Sequence, residues 1–537
     1  MIERAAGRIG GYMRAHPRAL DGTLIAIVTA LAAVLRLVKL GDIPYGVHPD
    51  EAQIGTDAFR ISQDQWIGVY SHAALGVPTL NAYLTWPGIW LLGHTAFSLR
   101  LPLALVGLAA VPLLYLLVRV SYGRLEAFFA SLLLAISYWH LFYSRVAHSS
   151  ISYPTILLAA LLCIMLGLRQ MRWPWFAAGG ALLGLGIYAY NVDAIALVAA
   201  AAFFVAMALL RFRRRSELRR WCALAGVTAA VALVVALPFA WYVSNPDAYY
   251  WKHIDDYRNT GVLRTQEYRD AGTIEKAKII GLQVRDFASA YTWEGQPDII
   301  DANGLRPMFD RVFLVLLACG AVLAYRKRRE PMIVLAACCI AIVPLPALLQ
   351  RGSMMREPLG AAPFAMFIAA LPLSALWRIA LRDEDRRRAL AGALVASALA
   401  LIFTATVHDY FWTFRRDGLT RYVYHSEMTS ASLYMRTLPE DAYVYFYSER
   451  HPLSLETRTY LAPGVQGEDR SREFSDRAAS IDDVDSSRPV VFVLLGDYLE
   501  LLPSIEQQYP GGVERKVTRG ADAEFYAYEL EPVDSEQ

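Results

Sequence analysis

Charge is what this sequence has least of. Only 19% of its 537 residues are Asp, Glu, Lys or Arg, while 55% are hydrophobic. Soluble domains carry about 25% charged residues, so the shortfall excludes an ordinary soluble protein and points to a bilayer. The formal net charge is only +2, which argues against a nucleic-acid partner. Cysteine is scarce too. Cys163, Cys222, Cys319, Cys338 and Cys339 lie in or beside apolar runs, with neither metal-ligand spacing nor a disulfide framework. They read as small buried hydrophobes. No P-loop, Gly-rich dinucleotide fingerprint or nucleophile elbow appears in the polar tail.

Long hydrophobic runs are abundant. Eleven stretches approach the roughly 20 apolar residues that a span needs: 21–40, 98–118, 125–142, 153–168, 174–190, 194–210, 221–243, 309–325, 331–349, 358–378 and 389–407. The first lacks a small-residue cleavage site and runs into Arg36 and Lys39, which favours an uncleaved span over a signal peptide. Basic residues gather at every second connection: Arg4 to Arg18, Arg119 and Arg124, Arg169 and Arg172, Arg211 to Arg220, Arg326 to Arg329, and Arg378 to Arg388. The positive-inside rule then puts the N-terminus in the cytoplasm. Segments 41–97 and 244–308 and the tail 408–537 fall outside.

The expected fold is an α-helical polytopic membrane protein with about eleven transmembrane helices over 1–407, followed by a small extracytoplasmic α/β domain over 408–537. Strand-like runs 442–447, 490–495 and 525–530 alternate there with helical stretches 427–437 and 497–508. Long loops on one side only, with no matching pair of broken spans, argue against a simple transporter.

The first outer loop holds the most informative charges. Pro49 suits a first helical turn, and 49–62 reads as an amphipathic surface helix with Ile54, Ala58 and Ile61 on one face. Asp50 and Glu51 would occupy that first turn, about 100° apart around the axis. Acidic residues there complement the macrodipole, yet carboxylates beside a span are also functional candidates. His48 by itself fits a helix cap. Segment 79–93, Trp-rich and interrupted by Pro87-Gly88, reads as interfacial or re-entrant. Loop 244–308 is long enough to cover a site; its Asp255-Asp256 pair reads as surface charge, with a cation site the lesser alternative.

Several short motifs stand in order along the chain: Arg36-Leu37-Val38-Lys39-Leu40-Gly41-Asp42-Ile43-Pro44 leading into His48-Pro49-Asp50-Glu51-Ala52; Ser98-Leu99-Arg100-Leu101-Pro102; Ser137-Tyr138-Trp139-His140 with Tyr143-Ser144-Arg145; Gly184-Leu185-Gly186-Ile187-Tyr188-Ala189-Tyr190; and Asn303-Gly304-Leu305-Arg306-Pro307-Met308. Over about residues 20–410 the chain resembles the GT-C membrane glycosyltransferases, in particular the branch of protein O-mannosyltransferases and aminoarabinose transferases. The resemblance implies residence in a bacterial-type plasma membrane, a polyprenyl-phosphate sugar donor, and a lipid, glycan or protein acceptor on the outer side. It also implies a single inverting displacement. Asp50 is then the base, with Glu51 its acidic neighbour, and Arg356 falls where the family places an outer-loop arginine. The chain departs from the pattern at Ser149, where relatives carry a second arginine, at Asn191-Val192-Asp193-Ala194, which lacks a basic residue, and at Leu75-Gly76-Val77-Pro78, which lacks a glutamate.

Arginines near the outer span ends are Arg36, Arg60, Arg100, Arg145, Arg351 and Arg356. Guanidinium groups bind phosphate through paired N–H contacts, so Arg356, Arg145 and Arg100 are candidates for the donor phosphate; snorkelling to lipid headgroups is the plainer alternative. His48, Tyr188, Tyr190 and Asp193 are candidates for a substrate groove, against an interfacial aromatic belt. No cofactor is implied with certainty, and a divalent metal ion is left open. The competing function is a non-catalytic GT-C-fold scaffold of an envelope complex. A lipid-linked-glycan flippase ranks last, because the span interiors hold little charge.

Overall fold

The computed structural model describes residues 17–532 apart from 73–75, 193, 212–213, 296–305, 351–354, 383–385, 476–479 and 520–521. Asp193, Arg351, Leu75 and Asn303 to Leu305 therefore lie outside the described residues. The chain forms two compact units. One comprises Met1–Val38, Ile67–Leu84 and Leu101–Phe414; the other comprises Lys39–Trp66, Thr85–Arg100 and Arg415–Gln537. This differs from a single division at residue 407. Two parts of the first outer loop group with the C-terminal region instead of with the helices that flank them in sequence.

Every one of the eleven apolar stretches is helical. Among the described residues seven helices are long and apolar enough to cross a membrane: Arg18–Leu37, Ala96–Ser121, Ser149–Gln170, Arg215–Val243, Pro331–Leu348, Glu357–Leu381 and Arg386–Phe414. The apolar pair Arg124–Ile136 and Tyr138–Arg145 is bent by 55°, as in a broken span or a re-entrant loop. The bend falls at Ser137, whose backbone is extended (φ −69°, ψ 126°). Three stretches form shorter helices: Trp173–Gly186 with 14 residues, and Ile195–Leu210 and Arg311–Arg326 with 16 each. At 1.5 Å per residue these reach about 21–24 Å, short of the roughly 30 Å hydrocarbon core.

Glycines let helices of this unit approach closely. A Cβ on Gly320 would collide with the carbonyl oxygen of Ile368, and one on Gly180 with that of Thr228. Small residues at crossings are the usual device of helix packing in a bilayer, where burial of apolar surface supplies little drive. Segment 244–308 is helical over Tyr249–Thr260, Gln266–Asp270 and Thr273–Thr292.

The second unit contains the helix Pro49–Ser62 and a five-stranded mixed sheet. At its centre, Val490–Leu494 pairs in parallel with Tyr443–Tyr447 and antiparallel with Asp522–Leu530. Two edge strands escaped the sequence reading: Gln466–Asp469, parallel to Tyr443–Tyr447, and Val513–Arg519, antiparallel to Asp522–Leu530. Their polar and charged residues hide the alternation that marks a half-buried strand, and such charge is how edge strands avoid pairing with other chains. Helix Ser426–Met435 covers one face of the sheet through Met428, Ala431 and Met435. The other face buries Tyr445, Tyr447 and Phe492 beneath Leu502 and Ile505.

Candidate functional site

Helix Pro49–Ser62 starts where its sequence says it should. Pro49 occupies the first turn, and the cap is His48, whose Nδ1 accepts the Asp50 N–H at 3.1 Å. The two following carboxylates then part company. Glu51 is 3% exposed and Asp50 is 39% exposed. Glu51 Oε2 takes two hydrogen bonds from the fully buried Arg100, from Nε at 3.0 Å and from Nη2 at 2.9 Å. Arg100 spends its remaining donors on loop carbonyls, Pro44 at 2.8 Å, Gly46 at 2.6 Å and Leu40 at 3.4 Å. This places Arg100 as a brace that folds residues 40–46 around the helix start.

The same loop is pinned to the C-terminal segment. Val47 N–H donates to Thr429 Oγ1 and Thr457 Oγ1 donates to the Val47 carbonyl, both at 3.0 Å. Tyr45 and Ser430 hydroxyls meet at 2.6 Å. The Tyr460 ring packs on Gly55, where a Cβ would stand 2.6 Å from it. Of the expected apolar face, Ile54 and Ala58 are buried and Ile61 is half-buried.

In the helical unit the remaining arginines have different surroundings. Arg36 donates to the carbonyls of Ala32, Leu134 and Ala135, and its Nη2 is 3.0 Å from His140 Nδ1. Arg145, also fully buried, donates to the carbonyls of Leu35 and Arg36 and lies 5.1 Å and 5.0 Å from the ring centres of Tyr410 and Phe411. Arg356 is half-buried and stands 3.4 Å from His148 Nε2. The neighbouring Met355 carbonyl accepts the Trp139 indole N–H at 2.7 Å, which anchors the backbone there.

His148 was not among the residues that the sequence singled out. Its Nδ1 lies 3.1 Å from the Ser150 amide nitrogen and 2.8 Å from the Ser150 hydroxyl, which orients the ring so that Nε2 faces the Arg356 guanidinium. Tyr190 and Tyr143 ring the same imidazole, with centroids 5.8 Å and 6.0 Å away. The signal was there to be found: a basic group stands one residue before Ser149, where the resemblance expects an arginine. Arg306 is a second omission. It lies 3.8 Å from the Tyr138 ring centre and donates to Asp409 at 2.6 Å.

Tyr188 is placed differently from Tyr190. Its hydroxyl donates to the Val235 carbonyl at 2.8 Å and accepts the Phe239 N–H at 3.2 Å, tying two helices together. Arg60 is exposed, 3.6 Å from Asp57 one turn back along its own helix. Among the described residues no three His, Cys, Asp or Glu side chains are grouped to hold a metal ion.

Backbone similarity decides the fold. ArnT from Cupriavidus metallidurans bound to undecaprenyl phosphate superposes with a TM-score of 0.57 at 16% identity, over 95% of this chain and 98% of that one. The chain has the GT-C fold. The archaeal oligosaccharyltransferase AglB from Archaeoglobus fulgidus, in complex with an inhibitory peptide and a dolichol-phosphate, gives 0.55 at 16% identity, covering 98% of this chain and 75% of that one. Residues 76–242 match the family described as dolichyl-phosphate-mannose-protein mannosyltransferase. That stretch contains Arg100, Arg145, His148 and Tyr190 but neither Asp50 nor Arg356. No curated protein sequence matches the chain. At this identity the GT-C likeness speaks for architecture, and the chemistry has to be argued from the side chains.

Proposed function

We propose that the protein is an integral-membrane glycosyltransferase that moves a sugar from a polyprenyl-phosphate donor to a hydroxyl acceptor on the extracytoplasmic side, with inversion. The GT-C fold and the mannosyltransferase match over 76–242 support the reaction class. One observation carries the assignment of the base: of two adjacent carboxylates, Glu51 is consumed by Arg100 while Asp50 stays accessible at a helix start. In a one-step displacement the acceptor oxygen attacks the anomeric carbon as its proton passes to Asp50, and the lipid phosphate leaves with the bonding pair. Arg356, with His148 beside it, is the donor-phosphate group, its guanidinium donors matched to charge growing on the leaving oxygen. Arg145 adds a fixed positive charge. Glu51 and Arg100 hold the loop. The alternation of basic helix ends supports a cytoplasmic N-terminus.

The test uses purified full-length protein with dolichyl-phosphate mannose and an undecaprenyl-phosphate-linked pentose as donors. Wild type is expected to release lipid phosphate from one of them, and Asp50→Asn to lower the rate by about 10²–10⁴-fold, the usual range for a lost general base. Unchanged transfer by Asp50→Asn would remove Asp50 as the base. Failure of the wild type with both donors would favour the non-catalytic scaffold.

A further inference from the structure

Nδ1 of His48 stands between two groups of the same residue. It accepts the Asp50 amide N–H at 3.1 Å and lies 3.8 Å from Asp50 Oδ2. An imidazole nitrogen can accept from the amide only while it carries no proton, and can donate to the carboxylate only once it does. The two arrangements exclude one another. In the neutral state His48 caps the helix and leaves the Asp50 carboxylate available. In the charged state the cap is lost, a cation sits at the positive end of the helix, and Nδ1–H turns toward the carboxylate. A carboxylate held by an adjacent cation is the weaker base.

The imidazole packed against His48 does not compete with it for the proton. His425, in a left-handed conformation with φ 49°, packs edge-on against His48 with ring centres 5.6 Å apart. Its Nδ1 is 3.3 Å from His451 Nδ1, and His451 Nε2 is 3.0 Å from Glu427 Oε1. Burial, reinforced by the neighbouring His451, His48 and Arg450, holds His425 down to about 2. It stays neutral wherever the protein works and cannot take up the proton in place of His48. Burial pushes Glu427 up, but hydrogen bonds and charges from His451 and Arg450 outweigh it and leave it below the usual carboxylate range. Glu449 is a further charge acting on this cluster, through Glu427, and Tyr424 is the other ring against His48.

We propose that His48 is a positioning residue that gates Asp50 by protonation, the neutral imidazole leaving the carboxylate for the acceptor proton and the imidazolium occupying it. The gate rests on Asp50 being the base.

The rate is followed against pH for the full-length protein with the donor that the wild type uses. Asn at position 48 still offers a cap oxygen but cannot charge. The ratio of the rate at pH 5.5 to that at pH 8 is expected to rise by about tenfold in His48→Asn, which cannot carry the inhibiting proton. An unchanged ratio would overturn the gate while leaving Asp50 as the base, whereas full activity in Asp50→Asn would overturn the base itself. A readout independent of transfer is the ¹⁵N spectrum of histidine-labelled full-length protein. His48 Nδ1 is expected to be unprotonated at pH 8 and protonated at pH 5.5; an unprotonated Nδ1 at both would overturn the proposal.

Discussion

The two units bury arginine in different ways. In the sheet-containing unit Arg100 meets a carboxylate, Glu51, and three carbonyls, so the pair carries no net charge. In the helical unit Arg36 meets the carbonyls of Ala32, Leu134 and Ala135 and the His140 imidazole. Dipoles solvate a cation without cancelling its charge. The first arrangement suits a fixed brace, since a buried ion pair gives little away to its surroundings and is costly to break. The second keeps positive potential in a low-dielectric setting, where it acts over a longer reach than in water.

The sharpest way to break this contrast is to exchange the two members of the acidic pair for amides. Asp50→Asn should lose about 10²–10⁴-fold in transfer with an unchanged melting temperature. Glu51→Gln should do the reverse, costing about 3–5 kcal/mol of stability because Arg100 is left buried beside a neutral group. The double variant Glu51→Leu with Arg100→Met should not recover that loss in a thermal melt, because the Pro44 and Gly46 carbonyls lose their donor as well. Equal effects of both amides on transfer and on melting would erase the distinction between base and brace.

Glycine replacement compares the packing of the units. In Gly320→Ala the new methyl meets backbone at Ile368, and in Gly55→Ala it meets the Tyr460 ring. Overpacking costs about 1–3 kcal/mol. The helical-unit variant belongs at the upper end, because a carbonyl in a helix cannot swing aside as a ring can. A melt in which Gly55→Ala is the worse of the two would contradict this ranking.

Acid should weaken the sheet-containing unit selectively. His425 is depressed from its unfolded value, so its neutral form favours folding above about pH 6.5, and below that each pH unit removes up to about 1.4 kcal/mol. Glu427 is depressed as well and loses its contribution as pH falls through its folded value, with the same sign. Melting of the full-length protein at pH 7 and pH 5 checks this, with His425→Gln expected to show the smaller difference.

Much of this was legible in the sequence. Composition and run length placed the apolar helical stretches, though among the described residues only seven helices are long and apolar enough to span a membrane where eleven spans were expected, and Pro49 marked the start of the helix Pro49–Ser62 to the residue. The edge strands 466–469 and 513–519 were not legible, because charge on an edge resembles a loop. His148 was passed over because a lone histidine carries no pattern until Arg356, 208 residues later, is brought beside it.

Local covalent and hydropathic signals act over a few residues, and they are enough to set which segments are helical, where the surface helix begins and that two carboxylates share its first turn. Which carboxylate is spoken for depends on Arg100, 49 residues away. Whether His48 neighbours another imidazole depends on His425 and His451. Those partners are distant in the chain, and only folding puts donor against acceptor at 3 Å. The sequence supplied the acidic pair; tertiary contact separated Asp50 from Glu51.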